Sequence, residues 1–438
     1  MPPRIVIIGA GPTGLGAGIR LRELGHKEWI VYESKNKPGG LAGSVTDAHG
    51  FTWDFGGHVF FTSFDRVRNL LASFPKDFFI CHKRKAFIRL DDFLVPYPFQ
   101  LNLDVLPNRL SPKGEHDLAF VEQQNSPENF RDWLGYTFGK DQCTLFFYPY
   151  NEKIWGIPLS KMSYTWVENR ITTPGHENQK DSWGPNNTFL YPRSGGMGAL
   201  FEHLASRICD HILYGHEIVG IDIENKTVRI KGGKVDNFDM LISTMPLTSL
   251  VDLIGNDRIP QMIVDEAMKL CWNSCLVSGL GVSGSKGGNF SWIYFPEPCY
   301  PFYRVTALSE YSESLVPTVG RDRYYSLMCE TTIQSQGKPS IAQLLDGMIK
   351  ADLLREGDSK KLKVCTQIEL PYAYPVPTLD RDKALATIQG FFESRNIFSR
   401  GRFGGWKYEV GNMDHSLMQG MEIIDRILLG MEEKVYRV

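Results

Sequence analysis

Arg4-Ile5-Val6-Ile7-Ile8, followed at once by Gly9-Ala10-Gly11-Pro12-Thr13-Gly14, is the stretch whose reading decides the fold. Four β-branched residues in a row predict a parallel strand buried on both faces. After Gly14, residues Ala17, Leu21 and Leu24 recur at i, i+4 and i+7 and predict a helix, which Gly25 stops. Gly14 and Gly18 give that helix a bare face for close packing on a sheet. A second strand, 28 to 32, ends on Glu33, 19 residues after Gly14. A G-x-G-x-x-G between a buried strand and a helix, answered by an acidic residue at the end of the next strand, predicts a dinucleotide-binding βαβ unit. Gly9 allows the tight turn, Gly11 lets backbone approach a pyrophosphate, and Gly14 packs helix on strand. Glu33 would accept hydrogen bonds from ribose hydroxyls.

Two further glycine loops follow, Pro38-Gly39-Gly40-Leu41-Ala42-Gly43-Ser44 and Trp53-Asp54-Phe55-Gly56-Gly57-His58. A plain nicotinamide domain has no reason for them. A flavin does, because its ribityl chain and ring system run against bare backbone beyond the pyrophosphate. The cofactor expected from these residues is FAD, held by Gly9, Gly11, Thr13, Gly14, Glu33, Ser34, Gly40, Leu41, Gly57 and His58.

With 438 residues, the chain is longer than one core usually serves, so two or three structural units are expected. Its 48 basic and 50 acidic side chains leave a net charge of -2 and no global field for nucleic acid or an anionic membrane. An anionic ligand must be held by a few placed arginines. The eight cysteines are scattered, without C-x-x-C spacing, so reduced thiols and no metal site are expected. No apolar stretch is long enough to span a bilayer, and the first residues lack a signal-peptide core, so a cytoplasmic location is expected.

Aromatic and polar residues with helical spacing fill 97–192, strand signals return near 214–244, and 275–330 and 362–373 alternate as an antiparallel sheet would. Ile341 to Leu354 suggests a helix between those stretches, and Leu417, Met421, Ile424 and Leu428 a final helix from about Ser416. The expected architecture is α/β: a Rossmann-type FAD-binding domain with an inserted helical domain and an antiparallel β-sheet domain. The FAD domain takes 1–90, 193–250 and 385–438, the helical substrate domain 97–192 and the sheet domain 251–384.

Four further stretches give the chain a specific likeness. They are Asn151-Glu152-Lys153-Ile154-Trp155-Gly156-Ile157-Pro158, Trp183-Gly184-Pro185-Asn186, Trp292-Ile293-Tyr294-Phe295-Pro296 with Pro301-Phe302-Tyr303-Arg304, and Arg402 through Asn412. Together and in this order they resemble the eukaryotic-type branch of the UDP-galactopyranose mutases. The resemblance implies an isomerase in which reduced FAD attacks the anomeric carbon of UDP-galactose through flavin N5, UDP leaves, the sugar ring opens as a flavin iminium and closes as the furanose, and UDP returns. It also implies no net redox change.

The resemblance makes Arg170 and Arg304 the diphosphate arginines, and Tyr294, Tyr374 and Tyr408 its phenolic donors. Bidentate guanidinium contacts suit a nearly neutral protein. Phe146, Tyr150, Tyr97, Phe99 and Gln100 match the region that cradles uracil, Trp155 and Trp292 count among the substrate-binding residues, and Asn151 and Asn186 match contacts near sugar and phosphates. His58 matches a histidine near flavin N5. Arg402, Val219, Gly411, Asn412, Met413 and Ser416 match cofactor contacts; backbone N–H groups at the start of the last helix would stabilise the reduced flavin's anionic pyrimidine end. An ordinary helix cap by Asp414 or Ser416 is compatible with that.

Ser63 stands where the eukaryotic-type pattern has a second histidine. The chain also stops where that branch often continues, which implies a monomer or dimer rather than a higher oligomer. NAD(P)H as external reductant would dock away from the Glu33 site. An amine-oxidase-like oxidase, a non-enzymatic FAD-binding protein and a mutase for another nucleotide sugar stay open at this level.

Overall fold

The structure is a computed structural model that describes residues 2–108, 110, 126–167, 171, 187–255, 258–284, 288–317 and 323–437. Ile5–Ile8 forms the middle of a five-stranded sheet in the order Ile397–Ser399, Met240–Ser243, Ile5–Ile8, Trp29–Glu33, Ile212–Tyr214. Every pairing in it is parallel. Ile5, Val6 and Ile7 are fully buried, as a strand covered on both faces requires, and each contributes about 1.5–3 kcal/mol of apolar burial.

The expected helix after the glycines runs Pro12–Glu23, with Gly25 in the left-handed region just beyond its Leu24 cap. It lies against the last helix, which begins at Met413, three residues before the expected start, and ends at Leu429. A Cβ on Gly16 would sit 2.3 Å from the carbonyl oxygen of Leu417, and one on Gly420 would sit 2.0 Å from that of Thr13. Only glycine at both positions lets the two backbones touch. That contact sets Thr13 beside Gly420, about two turns into the final helix.

A second sheet runs Leu362–Pro375, Trp272–Ser283, Tyr324–Thr332, Arg304–Thr306, Trp292–Tyr294, Ala86–Leu90, Phe93–Pro96. It is antiparallel except where Trp292–Tyr294 pairs with Ala86–Ile88. Ala86–Leu90 finds this partner more than two hundred positions along the chain, a pairing that no local pattern announces, and carries Phe93–Pro96 with it as the edge strand. Ile341–Lys350 is the helix expected on this sheet, and it ends four residues before the expected Leu354. The described part of 97–192 holds Phe130–Gln142, a π-helical turn Cys143–Phe147 and Tyr148–Trp155.

After Gly430 the chain folds back and fastens the loop between Arg400 and Asn412. The fully buried Arg400 donates to Glu433 through Nε and Nη2 at 2.6 and 2.7 Å and to Glu393 at 2.5 Å. Tyr436 donates its hydroxyl to the Gly405 carbonyl at 3.0 Å. A buried guanidinium is tolerated only with carboxylate partners of this kind. Among the described residues no helix is long and apolar enough to cross a membrane.

Candidate functional site

At the carboxyl end of Ile5–Ile8, Gly11 caps the first helix with no side chain accepting from its first turn, so those N–H groups face outward. A Cβ on Gly11 would meet nothing nearer than the Gly40 Cα at 4.0 Å, which leaves a bare slot between two glycine loops. The Gly39 N–H donates to the Ala10 carbonyl at 2.9 Å and holds the second loop over the first. Glu33, 6% exposed, accepts from the N–H groups of Ala10 at 2.7 Å and Lys35 at 2.9 Å. Ser34 lies exposed beside it, its hydroxyl 3.4 Å from Glu33 Oε1. Donors at a helix start, a glycine slot and a fixed carboxylate fit a dinucleotide's phosphates and ribose.

Leu41 is half-buried in the short turn Gly40–Ala42, and Val219 half-buried in the strand Ile218–Asp222 of a separate three-stranded sheet. The Gly401 N–H donates to Gln419 Oε1 at 2.8 Å, and a Cβ on Gly401 would lie 2.5 Å from Thr13 Oγ1. Arg402 then points back across the loop, donating to the carbonyls of Ala373 at 3.0 Å and Gly411 at 3.1 Å. Its guanidinium lies 5.0 Å from the Tyr374 ring centre and 5.7 Å from that of Tyr408. Asn412 is the helix N-cap, and its side chain accepts no capping bond. Asp414 and Ser416 lie inside the helix, so neither is the cap that the sequence allowed; Met413 is its first residue.

The Gly56-Gly57-His58 loop meets the second sheet at Arg304. A Cβ on Gly57 would sit 2.8 Å from Thr306 Oγ1 and 3.1 Å from Arg304 Cζ. Arg304 donates through Nε and Nη2 to both oxygens of Glu330, the second at 2.7 Å. Glu330 also accepts from the Tyr303 hydroxyl at 3.2 Å, and that hydroxyl is 3.3 Å from the Tyr374 hydroxyl. Burial works against both charges of the pair. Mutual attraction wins, holding the Glu330 carboxyl below the usual range and Arg304 firmly protonated. With its Nε edge committed to Glu330, Arg304 has its opposite edge for an incoming anion.

Around this pair the aromatic side chains form one wall. Phe146 stacks on Tyr150 at 5.2 Å, Tyr150 meets Tyr294 edge-on at 5.2 Å, and Tyr97 lies 5.4 Å from Tyr294. Trp292 is 6.4 Å from Tyr294, and Trp155 is 6.1 Å from Tyr374 and 4.9 Å from Tyr408. Burial raises the phenols of Tyr97, Tyr150, Tyr294 and Tyr374, so all four stay neutral donors. Asn151 is turned into its own helix, donating to the Phe147 carbonyl at 2.8 Å and accepting from Trp155 Nε1 at 3.2 Å. Gln100 lies in the short turn Phe99–Leu101 next to Tyr97. Arg170 and Asn186 lie outside the described residues, as does Trp183.

Sequence reasoning missed Glu330, Tyr303 and Trp166. Glu330 faces Arg304 as a cross-strand pair, a register invisible in a sequence that carries the two residues 26 positions apart. Trp166 packs on Trp155 at 5.3 Å and Tyr408 at 5.4 Å from a turn with no periodic signal.

His58 is half-buried, and its Nδ1 is sealed from solvent with no hydrogen-bond partner among the described residues. Burial first, then the charges of Arg402 and Arg304, outweigh the pull of Glu330 and bring its pKa down to about 4. It is neutral at physiological pH. Between the ordinary value near 6.5 and about 4 the unfolded chain binds a proton that the folded chain refuses. Stability contributed by His58 is therefore complete above about 6.5 and is lost as pH falls, by up to about 1.4 kcal/mol per pH unit. Denaturant unfolding of the wild type against His58→Asn should show the difference between pH 7 and 5; equal slopes would place His58 in contact with water.

A family model described as flavin containing amine oxidoreductase matches residues 12–262. The glycine slot, the parallel sheet and the interleaved second sheet are those of that class of flavoproteins. Over its full length the chain superposes on a crystal structure of reduced UDP-galactopyranose mutase with a TM-score of 0.92 and 35% identity, covering 100% of this chain and 96% of that one. The chain belongs to the UDP-galactopyranose mutase family, within the flavin-containing amine oxidoreductases. It shares its fold alone with a putative protoporphyrinogen oxidase from Exiguobacterium sp., at a TM-score of 0.71 and 16% identity over 98% of this chain and 100% of that one. The zeta-carotene desaturase of Solanum lycopersicum is 38% identical over 68 residues, 16% of this chain and 11% of the desaturase. The probable zeta-carotene desaturase of Synechococcus elongatus is 43% identical over the same length, 14% of its own. The chain thus spans about a tenth of these curated relatives.

Proposed function

We propose that the protein is an FAD-dependent isomerase that interconverts UDP-galactopyranose and UDP-galactofuranose with reduced flavin and no net redox change. The observation that carries this reading is the convergence of Arg304, Tyr294, Tyr374, Tyr408 and Arg402 beside the bare Gly56-Gly57-His58 loop, a set of donors suited to a diphosphate next to a flavin. Reduced flavin, when bound, supplies a nucleophilic nitrogen toward the anomeric carbon.

The chain's own residues do the rest. Arg304 neutralises the diphosphate as it departs, and the neutral phenols add hydrogen bonds without adding charge. Held beside the sugar, UDP returns as an intramolecular partner would. The wall of Phe146, Tyr150 and Tyr97, with Gln100, offers a stacking surface and an amide for uracil. By the resemblance, Arg170 and Asn186, both outside the described residues, would contribute further contacts to diphosphate and sugar. Glu33 and the Gly9–Gly14 loop would hold the FAD ribose and pyrophosphate, and the N–H groups at the helix start at Met413 would stabilise the charge of its pyrimidine end. His58, neutral, serves as a hydrogen-bonding neighbour rather than an acid. A cytoplasmic monomer or dimer reduced by NAD(P)H is the setting that this reading implies.

Anaerobic, dithionite-reduced protein incubated with UDP-galactofuranose should form UDP-galactopyranose over many turnovers from one reduction, with the oxidised protein inactive. Turnover by oxidised protein with one oxygen consumed per product would replace the mutase by an oxidase. Conversion of another UDP- or GDP-sugar in place of UDP-galactofuranose would change the substrate and keep the chemistry.

A further inference from the structure

The wall assigned to the UDP-sugar is built from three pieces far apart in sequence. These are the helix Tyr148–Trp155, the hairpin that pairs Trp292–Tyr294 with Arg304–Thr306, and the end of the strand Leu362–Pro375 that carries Tyr374. Side chains of the first layer touch across these pieces, as the Tyr303 and Tyr374 hydroxyls do at 3.3 Å. Behind that layer two buried polar residues bind the backbones of the pieces together.

Asn151 and Trp155 share one face of the helix, and Lys153 leaves from the other. Lys153 is 7% exposed, and its ammonium donates to the carbonyls of Phe295 and Glu297, both at 2.8 Å. Those carbonyls begin the loop that closes the hairpin, where the Phe295 N–H also donates to the Tyr303 carbonyl at 2.9 Å. At the helix end the Ile154 carbonyl, one of the last four with no donor inside a helix, accepts from Asn273 Nδ2 at 2.7 Å and Thr332 Oγ1 at 3.0 Å. Asn273 is 1% exposed, and its Oδ1 accepts the Tyr374 N–H at 3.0 Å. It sits at an irregularity in the pairing with Leu362–Pro375, between Asn273 and Cys275, where the Tyr374 N–H meets the Asn273 side chain.

We propose that Lys153 and Asn273 are positioning residues that clamp the Tyr150–Trp155 face to Tyr294 and to Tyr374 and so set the width of the UDP site. The inference rests on the functional reading above. Lys153 fixes the Tyr150–Tyr294 contact at 5.2 Å, and Asn273 fixes the Trp155–Tyr374 contact at 6.1 Å. A methionine would fill the lysine's volume without the desolvation cost of a buried ammonium, a cost visible in the fall of its pKa to about 7, driven by burial against the weaker pull of Cys299 and Glu297. The Phe295 carbonyl would then lose its donor and the Glu297 carbonyl would keep only the Tyr300 N–H at 3.3 Å, and the helix and hairpin would be free to part. Neither residue touches the glycine slot or Arg402.

UDP is titrated into the oxidised holoprotein by calorimetry for wild type, Lys153→Met and Asn273→Ala, alongside flavin content, flavin reduction potential and thermal midpoint. Each variant should bind UDP at least tenfold more weakly than wild type and, once reduced, show a raised KM with kcat within about threefold. Flavin content and potential should stay unchanged. Should Lys153→Met not fold, Asn273→Ala reads the same clamp from its other end. Lowered thermal midpoints with wild-type UDP affinity would make both residues merely structural and overturn the inference. A wild type that binds no UDP would overturn the functional reading and this inference with it.

Discussion

Gly11→Val is expected to give a folded protein that carries no flavin. Gly11 has φ -75° and ψ -178°, extended backbone that valine adopts readily, and its Cβ would clear every protein atom to 4.0 Å. The cost of valine at a helix N-cap is about 1 kcal/mol, too little to unfold the chain. The side chain instead occupies the slot between Gly11 and Gly40 through which the pyrophosphate must reach the helix N-H groups. Gly14→Ala fails differently. Its Cβ would lie 1.9 Å from the Gly9 carbonyl oxygen, so the turn itself must break. The check is the ratio of flavin absorbance to protein together with circular dichroism: Gly11→Val should keep its helical signal and a cooperative melt, lowered by the lost ligand stabilisation, about 2.7 kcal/mol when FAD stands at a hundred times its Kd. Full flavin occupancy in Gly11→Val would move the pyrophosphate away from this loop.

Arg304→Ala should lower kcat/KM of the reduced protein by roughly 30- to 4,000-fold, the equivalent of about 2–5 kcal/mol for a guanidinium taken from a desolvated diphosphate. It should also destabilise the fold by about 3–5 kcal/mol, because Glu330 is left buried without its partner. Burial is already the largest single influence on Glu330, and without Arg304 it is no longer outweighed and lifts the pKa. A carboxyl raised in the folded state stabilises below its unfolded pKa and loses that contribution as pH rises, so the deficit of Arg304→Ala should grow from pH 5 to pH 8. The double variant Arg304→Met with Glu330→Gln removes both charges and should regain most of the stability and none of the activity. Urea unfolding at the two pH values reads the first effect, and turnover of UDP-galactofuranose the second. Wild-type kinetics in Arg304→Ala would take Arg304 out of the site.

How far the chain could be read beforehand follows from the range of each signal. Ile5–Ile8, Gly9 to Gly14, the helix to Glu23 and Glu33 were legible because a βαβ unit is local: its periodicity, turn residues and acidic end lie within 30 positions. Arg304, Tyr294, Tyr374 and Tyr408 were legible only through motifs, since one arginine or tyrosine looks like another until its neighbours are known. Composition likewise announced that an anion would need placed arginines, without saying what would balance them.

The sequence by itself determined that a strand, a glycine loop and a helix start would meet, because glycine's missing Cβ and the buried β-branched run act over a few residues. Tertiary structure alone decided that Ala86–Leu90 joins Trp292–Tyr294, that Glu330 stands opposite Arg304, and that Lys153 and Asn273 bind the helix to the sheet. These are matters of register and of burial. A strand's alternation says which side chains share a face but not which strand lies beside it, and a lysine's or glutamate's letter carries no sign of whether water or a carbonyl will meet its charge.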